Sequence, residues 1–286
     1  MLITVTGSTG TIGFELVRLL SGRGMPVRAV HRTRRSQEPV SGVAWTRADL
    51  SDERLLEPAL AGTTRLFLLS DNQAGFAGLQ IRIIHAAQAL GAAHVVKLSA
   101  LGASDHSKSW IAREHRKVEA ALEESSMGWT ILRPHSFMQN WLGVLARSVR
   151  TDRLIESAIG DGRVPFIDTR DIAAVALEVL LAPEAHVKQK YVLTGPEAIG
   201  YADLAAIISE VTGKATGYRA ISMDEERSRL EREGLHSDAI DALLAIAAYQ
   251  KAGGPTAIVS DGVQRIAGRP GRTARDFVRD HAQEFR

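Results

Sequence analysis

The stretch Gly7-Ser8-Thr9-Gly10-Thr11-Ile12-Gly13 decides the fold of this chain. It directly follows a short apolar run, Leu2 to Thr6, that predicts a strand, and it opens a helical pattern from Ile12 to Leu20. Glycines between a strand and a helix let the backbone approach a pyrophosphate, and the helix N-terminus adds unpaired N–H groups and a positive dipole end. The spacing Gly-x-x-Gly-x-x-Gly in this context predicts a dinucleotide-binding βαβ unit, with a purely structural turn as the alternative.

Arginines follow the predicted second strand, Val27 to His31. An NAD-specific site places an acidic residue about twenty residues beyond the glycines, where it binds the ribose 2′-hydroxyl. This chain has Arg32 there, with Arg34 and Arg35 following. A guanidinium can pair with a 2′-phosphate and stack on adenine, so NADP(H) is the predicted cofactor and a solvated basic loop the alternative. Asp49-Leu50, after the third strand, is expected at the adenine edge, although Asp49 can equally cap the next helix.

Short apolar runs alternate with helical patterns along the first half of the chain, which is typical of βα units on a parallel sheet. Four further strands are predicted there, over residues 43–48, 65–69, 94–99 and 129–133. The pattern then loosens into predicted helices over 137–149, 168–181, 201–212, 224–233, 238–251 and 272–285, with short strands near 164–166 and 190–193. We predict an α/β fold: a doubly wound parallel sheet (Rossmann domain) over residues 1–150 and a smaller mixed α/β substrate lobe over 151–286, with chain crossings between them.

The composition excludes several classes of protein. The 286 residues are 45% hydrophobic and carry a formal net charge of only +2. No basic run is interleaved with aromatics, so no nucleic-acid partner is expected, and no apolar run reaches the length of about 18 residues that a membrane span needs. There is no cysteine, and the nine histidines show no metal-ligand spacing, so no metal site is expected. The opening residues lack a signal-peptide pattern, which favours a cytoplasmic location.

The glycine loop resembles that of atypical short-chain dehydrogenases, in particular the NmrA-like family. The segments that carry the resemblance further are Val95-Val96-Lys97-Leu98-Ser99, His115-x-x-x-Glu119, Trp129 to Pro134, Phe137-Met138-Gln139-Asn140, Asp168 to Ala173 and Tyr191 to Pro196. The resemblance implies a cofactor lying across the C-terminal ends of the strands. Ser70, Ser99 and Pro134, which follow strands four, five and six, would then line its nicotinamide end.

Catalytically competent relatives use a Tyr-x-x-x-Lys pair after strand five, in which the tyrosine protonates the carbonyl oxygen. Aligning on Glu119 puts His115 at the lysine position and Ile111 at the tyrosine position. Taking Lys117 as the lysine instead makes Arg113 the tyrosine equivalent. No tyrosine occurs in the first 190 residues, so the usual acid is absent in either register.

Three replacements for the acid remain open. Ser99 can donate to a developing alkoxide, or it can simply satisfy backbone at the strand end. His115 can be a proton donor or a ribose ligand, or a surface histidine paired with Glu119 one turn on. The third possibility is that no protein acid is needed, because a hydroxyl beside the carbonyl can assist, and a quinone or cationic dye accepts hydride without one.

Five apolar side chains could form a pocket for an aromatic substrate, with ordinary core packing as the alternative: Phe76, Trp110, Phe137, Met138 and Trp141. We predict an NADPH-dependent reductase of an aromatic or polycyclic ketone or quinone, for example a ketoreductase of aromatic polyketide antibiotic biosynthesis. A non-catalytic NADP(H) sensor that binds a protein partner is the main alternative, and an isomerase or epimerase a weaker one. The sequence leaves the oligomeric state open.

Overall fold

The computed structural model of the chain describes residues 1–32 and 40–286. They form two compact units. The first consists of Met1–Ser107, Ile111–Pro134 and Thr169–Val192, and the second of Lys108–Trp110, His135–Asp168 and Leu193–Arg286. The chain therefore passes between the units repeatedly, and the division differs from a single boundary after residue 150.

The strands of the described residues are β1 (Ile3–Val5), β2 (Val27–His31), β3 (Val43–Arg47), β4 (Arg65–Leu68), β5 (His94–Leu98), β6 (Gly128–Pro134), β7 (Leu154–Ser157), β8 (Gln189–Leu193) and β9 (Gly217–Ala220). The α-helices are α1 (Thr11–Gly22), α2 (Leu56–Leu60), α3 (Phe76–Ala89), α4 (Trp110–Glu123), α5 (Val144–Asp152), α6 (Thr169–Leu181), α7 (Tyr201–Thr212), α8 (Met223–Arg232), α9 (Ser237–Ala252), α10 (Gly262–Ala267) and α11 (Ala274–Asp280). Short 3-10 turns occur at Glu53–Leu55, Met138–Leu142, Pro183–His186, Gly254–Ala257 and Ala282–Phe285.

The large sheet has the strand order β3-β2-β1-β4-β5-β6-β8. The pairs from β3 through β6 are parallel, which confirms the predicted Rossmann-like α/β fold. Every residue of β5 is buried, as expected for an inner strand covered on both faces. Because these strands run in one direction, the segments that follow β1, β2, β4, β5 and β6 meet at the same edge of the sheet.

Two elements that we expected in the substrate lobe belong to the first unit. Helix α6 is apolar and packs against α1, and β8 is the last strand of the large sheet beside β6. Burial of an apolar helix face and pairing of a sheet edge outweigh position along the chain. Residues 169–192 therefore belong to the first unit, together with the strands of the large sheet.

The second unit has its own apolar core around Trp141, whose ring meets Phe166 and Phe277 edge-on at 5.0 and 5.5 Å between centroids. Its parallel pair β7 and β9 was not predicted from the sequence. The helix expected over 137–149 is a 3-10 turn followed by α5, because Gly143 has a non-helical backbone between them. The strand expected near 164–166 is only an isolated bridge between Val164 and Ile199.

Candidate functional site

The three glycines of the loop differ in how the local structure constrains them. Gly7 has a φ of +60°, which favours glycine, and a Cβ on Gly13 would lie 2.2 Å from the Gly7 carbonyl oxygen. A Cβ on Gly10 would meet only that same oxygen, at an ordinary contact of 3.4 Å. The fold thus requires Gly7 and Gly13 but not Gly10, and a backbone that a phosphate must approach explains the third glycine.

Hydrogen bonds to β2 and to the segment after β4 hold the loop in place. Ser8 is buried and donates its hydroxyl to the carbonyl of Val30 at 2.8 Å, while Thr6 donates to the carbonyl of Leu69 at 2.8 Å. Ile12 packs into the core. Gly10 and Thr11 are the exposed members of the loop, and Gly7 and Thr9 are half-buried. Gly10, the N-cap residue of α1, makes no side-chain cap hydrogen bond, so the first N–H groups of the helix lack that partner, as an anion site requires.

Of the residues predicted at the adenosine end, Arg32 follows β2, and Asp49 and Leu50 follow β3. Arg32 is exposed after β2, and its Nη2 lies 3.8 Å from the Asp71 carboxylate, a loose pair that a phosphate can replace at little cost. Asp49 accepts hydrogen bonds from the Ser51 backbone and hydroxyl at 3.0 and 2.7 Å, and these bonds lower its pKa. Its side chain thus caps a turn in this structure. Leu50 is buried, and Arg34 and Arg35 lie outside the described residues.

A buried ion pair lies beneath the end of β5. Glu119 of α4 is fully buried, and it accepts a hydrogen bond at 2.9 Å from Arg133 Nε of β6 and a second from Nη2. Ser99, also buried, donates its hydroxyl to Glu119 Oε1 at 2.5 Å, the same oxygen that accepts from Arg133 Nε. The serine hydroxyl proton is therefore already held by the Glu119 side chain, whereas the structural alternative considered for Ser99 was a bond to backbone.

His115 lies on the same helix and is buried, with 4% of its surface exposed, so the expectation of a surface histidine paired with Glu119 is wrong. Its Nδ1 lies 3.2 Å from Lys97 Nζ, and its ring packs against Phe76 at 4.9 Å between centroids. Burial, with a smaller contribution from the Lys97 charge, lowers the pKa of His115 to about 2, and burial lowers the pKa of Lys97 to about 7. At neutral pH the imidazole is thus uncharged and cannot act as an imidazolium acid.

The other predicted nicotinamide-end residues are held by local contacts. Ser70, after β4, accepts a hydrogen bond from the buried Gln80 at 2.7 Å. Pro134 ends β6, and its carbonyl accepts from the Leu101 backbone at 3.0 Å. His135 begins the second unit, where its Nε2 contacts the Thr256 carbonyl at 3.0 Å and burial lowers its pKa to about 4.

The five aromatic and apolar candidates for the substrate divide into two groups. Met138 and Trp141 belong to the core of the second unit, each with 1% of its surface exposed, so core packing accounts for both and a direct substrate contact does not fit. Phe137 and Trp110 are partly exposed members of that unit. Phe76 belongs to the first unit and packs on His115.

Sequence reasoning overlooked three residues that organise the site: Lys97, Gln80 and Arg133. Lys97 had a recognisable signal, since it is the one charged residue that the run Val95 to Leu98 contains. Gln80 and Arg133 had none, because nothing along the chain indicates which side chain each one meets. Within the described residues, no group of three or more His, Asp or Glu side chains is placed to hold a metal ion. No helix of that part of the chain is both long and apolar enough to cross a membrane.

The parallel sheet with its glycine loop at the C-terminal edge of β1 defines a dinucleotide-binding protein of the Rossmann class. The NmrA-like family profile matches residues 1–244, and the chain belongs to that family, as the sequence predicted.

Several relatives are similar over nearly the whole chain. The NAD(P)H azoreductase of Xenophilus azovorans is 34% identical and covers 99% of both chains. The (4-alkanoyl-5-oxo-2,5-dihydrofuran-3-yl)methyl phosphate reductase of Streptomyces griseus is 32% identical, again with 99% of both chains covered. The crystal structure of the NADPH-dependent quinone oxidoreductase of Escherichia coli with NADPH superimposes with a TM-score of 0.84, at 28% identity, covering 98% of this chain and 99% of that one.

Proposed function

We propose that this chain is an NADPH-dependent reductase that transfers hydride to an aromatic or polycyclic quinone or ketone whose reduced form needs no strong protein acid. The relatives and the NADPH-bound neighbour confirm the broader prediction, an NAD(P)H-dependent reductase. The choice of acceptor is the narrower part of the proposal, and the arrangement of Ser99 supports it.

The hydrogen bond from Ser99 to Glu119 carries the argument about the acceptor. A simple ketone becomes a strongly basic alkoxide when it accepts hydride, and enzymes then gain from a positioned acid. Ser99 already donates its proton to a carboxylate, and His115 is neutral. A quinone instead becomes a hydroquinone monoanion, a phenolate whose conjugate acid has a pKa of about 10, and this anion takes its proton from water.

Hydride transfer then depends on positioning. When bound, NADPH would supply a hydride to the quinone, which would leave NADP⁺ and the hydroquinone anion as products. The loop around Gly10 and the N-terminus of α1 would hold the pyrophosphate, and Arg32 the 2′-phosphate. The cofactor supplies the reducing chemistry, and the residues at the sheet edge hold and orient it.

One narrower function is compatible with this proposal, and one function of another class competes with it. A polyketide ketoreductase is compatible with it if the ketone carries a neighbouring phenolic hydroxyl that donates to the developing oxyanion. The alternative from another class is a non-catalytic NADP(H) sensor, which the missing tyrosine favours. A cytoplasmic location stays a prediction from the sequence.

The experiment measures NADPH oxidation by the purified chain with a naphthoquinone, an aromatic azo dye and a hydroxylated polycyclic ketone. We expect turnover of the quinone with formation of hydroquinone, and none by the Gly10→Val variant. Tight NADPH binding without oxidation by any acceptor of the panel would replace the reductase proposal with the sensor. Failure to bind NADPH at all would refute both.

A further inference from the structure

Lys97 and His115 form a buried polar contact between β5 and α4. Lys97 is fully buried in β5, and its Nζ donates a short hydrogen bond to the carbonyl of Leu98. The same Nζ lies 3.2 Å from Nδ1 of His115, and the Phe76 ring covers the imidazole. A lysine is costly to bury in an inner strand of the sheet, so its position calls for a reason.

The chemistry of the two groups fixes where the histidine carries its proton. Burial lowers the pKa of Lys97 to about 7, so its ammonium form prevails below that pH. An ammonium has three donors and no acceptor, so a neutral imidazole facing it must accept through Nδ1 and carry its hydrogen on Nε2. The His115 ring is neutral at physiological pH because burial and the Lys97 charge lower its pKa to about 2. The neighbours of the ring thus select one of its two tautomers.

The Nε2–H donor that results has no hydrogen-bond partner among the described residues, since the contacts of the His115 side chain there are with Lys97 and Phe76. Nε2 is not fully enclosed by the protein, although only 4% of the surface of His115 is exposed, so an atom of a ligand can reach it. Lys97 is the next-to-last residue of β5 and Phe76 begins α3, so the ring lies near the segments that follow β5 and β4. An acceptor atom of a bound ligand would complete the hydrogen bonding of this ring.

We propose that Lys97 is a positioning residue that holds His115 as the Nε2–H tautomer, and that this N–H donates to an oxygen of the ligand bound at the sheet edge. The proposal rests on the proposed function, because the ligand is the cofactor or its hydride acceptor. A ribose hydroxyl of NADPH and a carbonyl of the acceptor offer the same acceptor chemistry. The two sources are separated by where the effect of a substitution is measured.

The first measurement reads the tautomer directly and needs neither turnover nor cofactor. Long-range ¹H–¹⁵N spectra of the labelled full chain distinguish protonated from unprotonated imidazole nitrogens, and His115→Gln assigns the signal. At pH 6, where Lys97 is protonated and His115 is neutral, we expect a protonated Nε2 and an unprotonated Nδ1 in the unsubstituted protein, and a mixture of tautomers in Lys97→Met. Lys117→Met is the matched control. Lys117 is exposed on α4, the helix that carries His115, and it pairs with Glu114, so its substitution should leave the signal unchanged.

The second measurement locates the acceptor oxygen. Loss of one hydrogen bond to the ligand weakens its binding by roughly 1.4 kcal/mol, or about tenfold. We expect Lys97→Met and His115→Phe to lose about tenfold, and His115→Gln, whose amide can still donate from a similar place, to recover most of the loss. A loss in NADPH affinity identifies the ribose as the partner, whereas a loss in kcat/KM for the quinone at unchanged NADPH affinity identifies the acceptor carbonyl.

Two results would overturn the inference. One is a protonated Nδ1 in the unsubstituted protein, which decides the question even if Lys97→Met does not fold. The other is a folded Lys97→Met variant with the original tautomer and unchanged affinity and kcat/KM. A protein that shows the Nε2–H tautomer but neither binds NADPH nor reduces any acceptor would refute the proposed function and, with it, the assignment of the ligand oxygen, while the role of Lys97 would stand.

Discussion

Ser99 donates its hydroxyl hydrogen to Glu119, with 2.5 Å between the two oxygens, and both side chains are buried. Arg133 holds the same carboxylate through two guanidinium nitrogens. The serine at the end of β5 is thus part of a structural network beneath the site, and its proton is not free for an incoming oxyanion.

We expect Ser99→Ala to lower kcat by less than about tenfold, because the hydroxyl supplies no catalytic proton. Positioned acids contribute roughly two to four powers of ten in rate, so steady-state kinetics with a polycyclic ketone, whose reduction produces an alkoxide, separates the two roles. Stability should fall by about 1 kcal/mol through the lost hydrogen bond to Glu119. A thousandfold loss in kcat with unchanged NADPH affinity would restore Ser99 as the acid.

A substrate pair tests the same point without a substitution. A polycyclic ketone with a neighbouring phenolic hydroxyl should be reduced, and its methyl ether far more slowly, because only the hydroxyl can donate to the developing oxyanion. Equal rates for the hydroxy ketone and its ether, measured by NADPH consumption, would require a proton donor on the protein.

Gly10→Val should abolish NADPH binding while the chain still folds. The backbone at Gly10 has a negative φ, and a Cβ there meets only an ordinary contact at 3.4 Å, so the fold tolerates the side chain and the phosphates do not. Gly13→Ala should instead destabilise the protein, because its Cβ would lie 2.2 Å from a backbone oxygen. Thermal unfolding and fluorescence titration measure the two effects. A folded Gly10→Val variant that binds NADPH normally would show that the loop is misassigned.

Arg32→Ala should reduce the preference for NADPH over NADH, which we expect to be at least tenfold in the unsubstituted protein. One charge-assisted contact to the 2′-phosphate exceeds the roughly 1.4 kcal/mol that a tenfold preference requires. Arg18→Ala is the control, since Arg18 is exposed and pairs within α1 with Glu15. Equal affinities of the unsubstituted chain for the two cofactors would contradict the prediction.

Glu119→Gln should destabilise the protein by about 3 kcal/mol, because it leaves Arg133 partly buried without its counter-ion. Glu15→Gln, which breaks an exposed pair on α1, should cost less than about 0.5 kcal/mol. Urea unfolding at pH 7 compares the two. Similar small losses for both variants would mean that the buried pair contributes no more than the surface pair.

The pH dependence of stability should carry a contribution from Lys97. Burial lowers the pKa of this lysine from 10.5 to about 7 in the folded state, and the charge of Glu119 opposes the shift. Between these values the unfolded chain binds more protons, so the contribution is fully present above about pH 10.5 and is lost as pH falls through about 7. The full difference is on the order of 5 kcal/mol.

Lys97→Met should therefore flatten the rise in the free energy of unfolding between pH 7 and pH 10, and Lys117→Met should not. His115, whose pKa burial lowers to about 2, stays neutral across this range, and the charge of Glu119 acts on Lys97. Urea unfolding across the pH range measures the slope. A variant with an unchanged slope would show that Lys97 titrates normally.

Much of the nucleotide-binding unit could be predicted because its signals are local in the chain. The glycine loop directly follows β1, and the short apolar runs specify β2 through β6 within about two residues. The division of the chain into two units was harder to predict from the sequence. Whether α6 and β8 join the sheet or the lobe depends on surfaces that form only after the chain has folded.

The sequence by itself determined the class of fold, the place of the glycine loop, the arginine where NAD enzymes have an acid, and the absence of the usual tyrosine. These follow from residues that are neighbours along the chain. Only the tertiary structure decided that Glu119 pairs with Arg133, 14 positions away, and that His115 contacts Lys97, 18 positions away. Such pairings depend on how α4 lies against β5 and β6, and burial then sets which groups keep their protons.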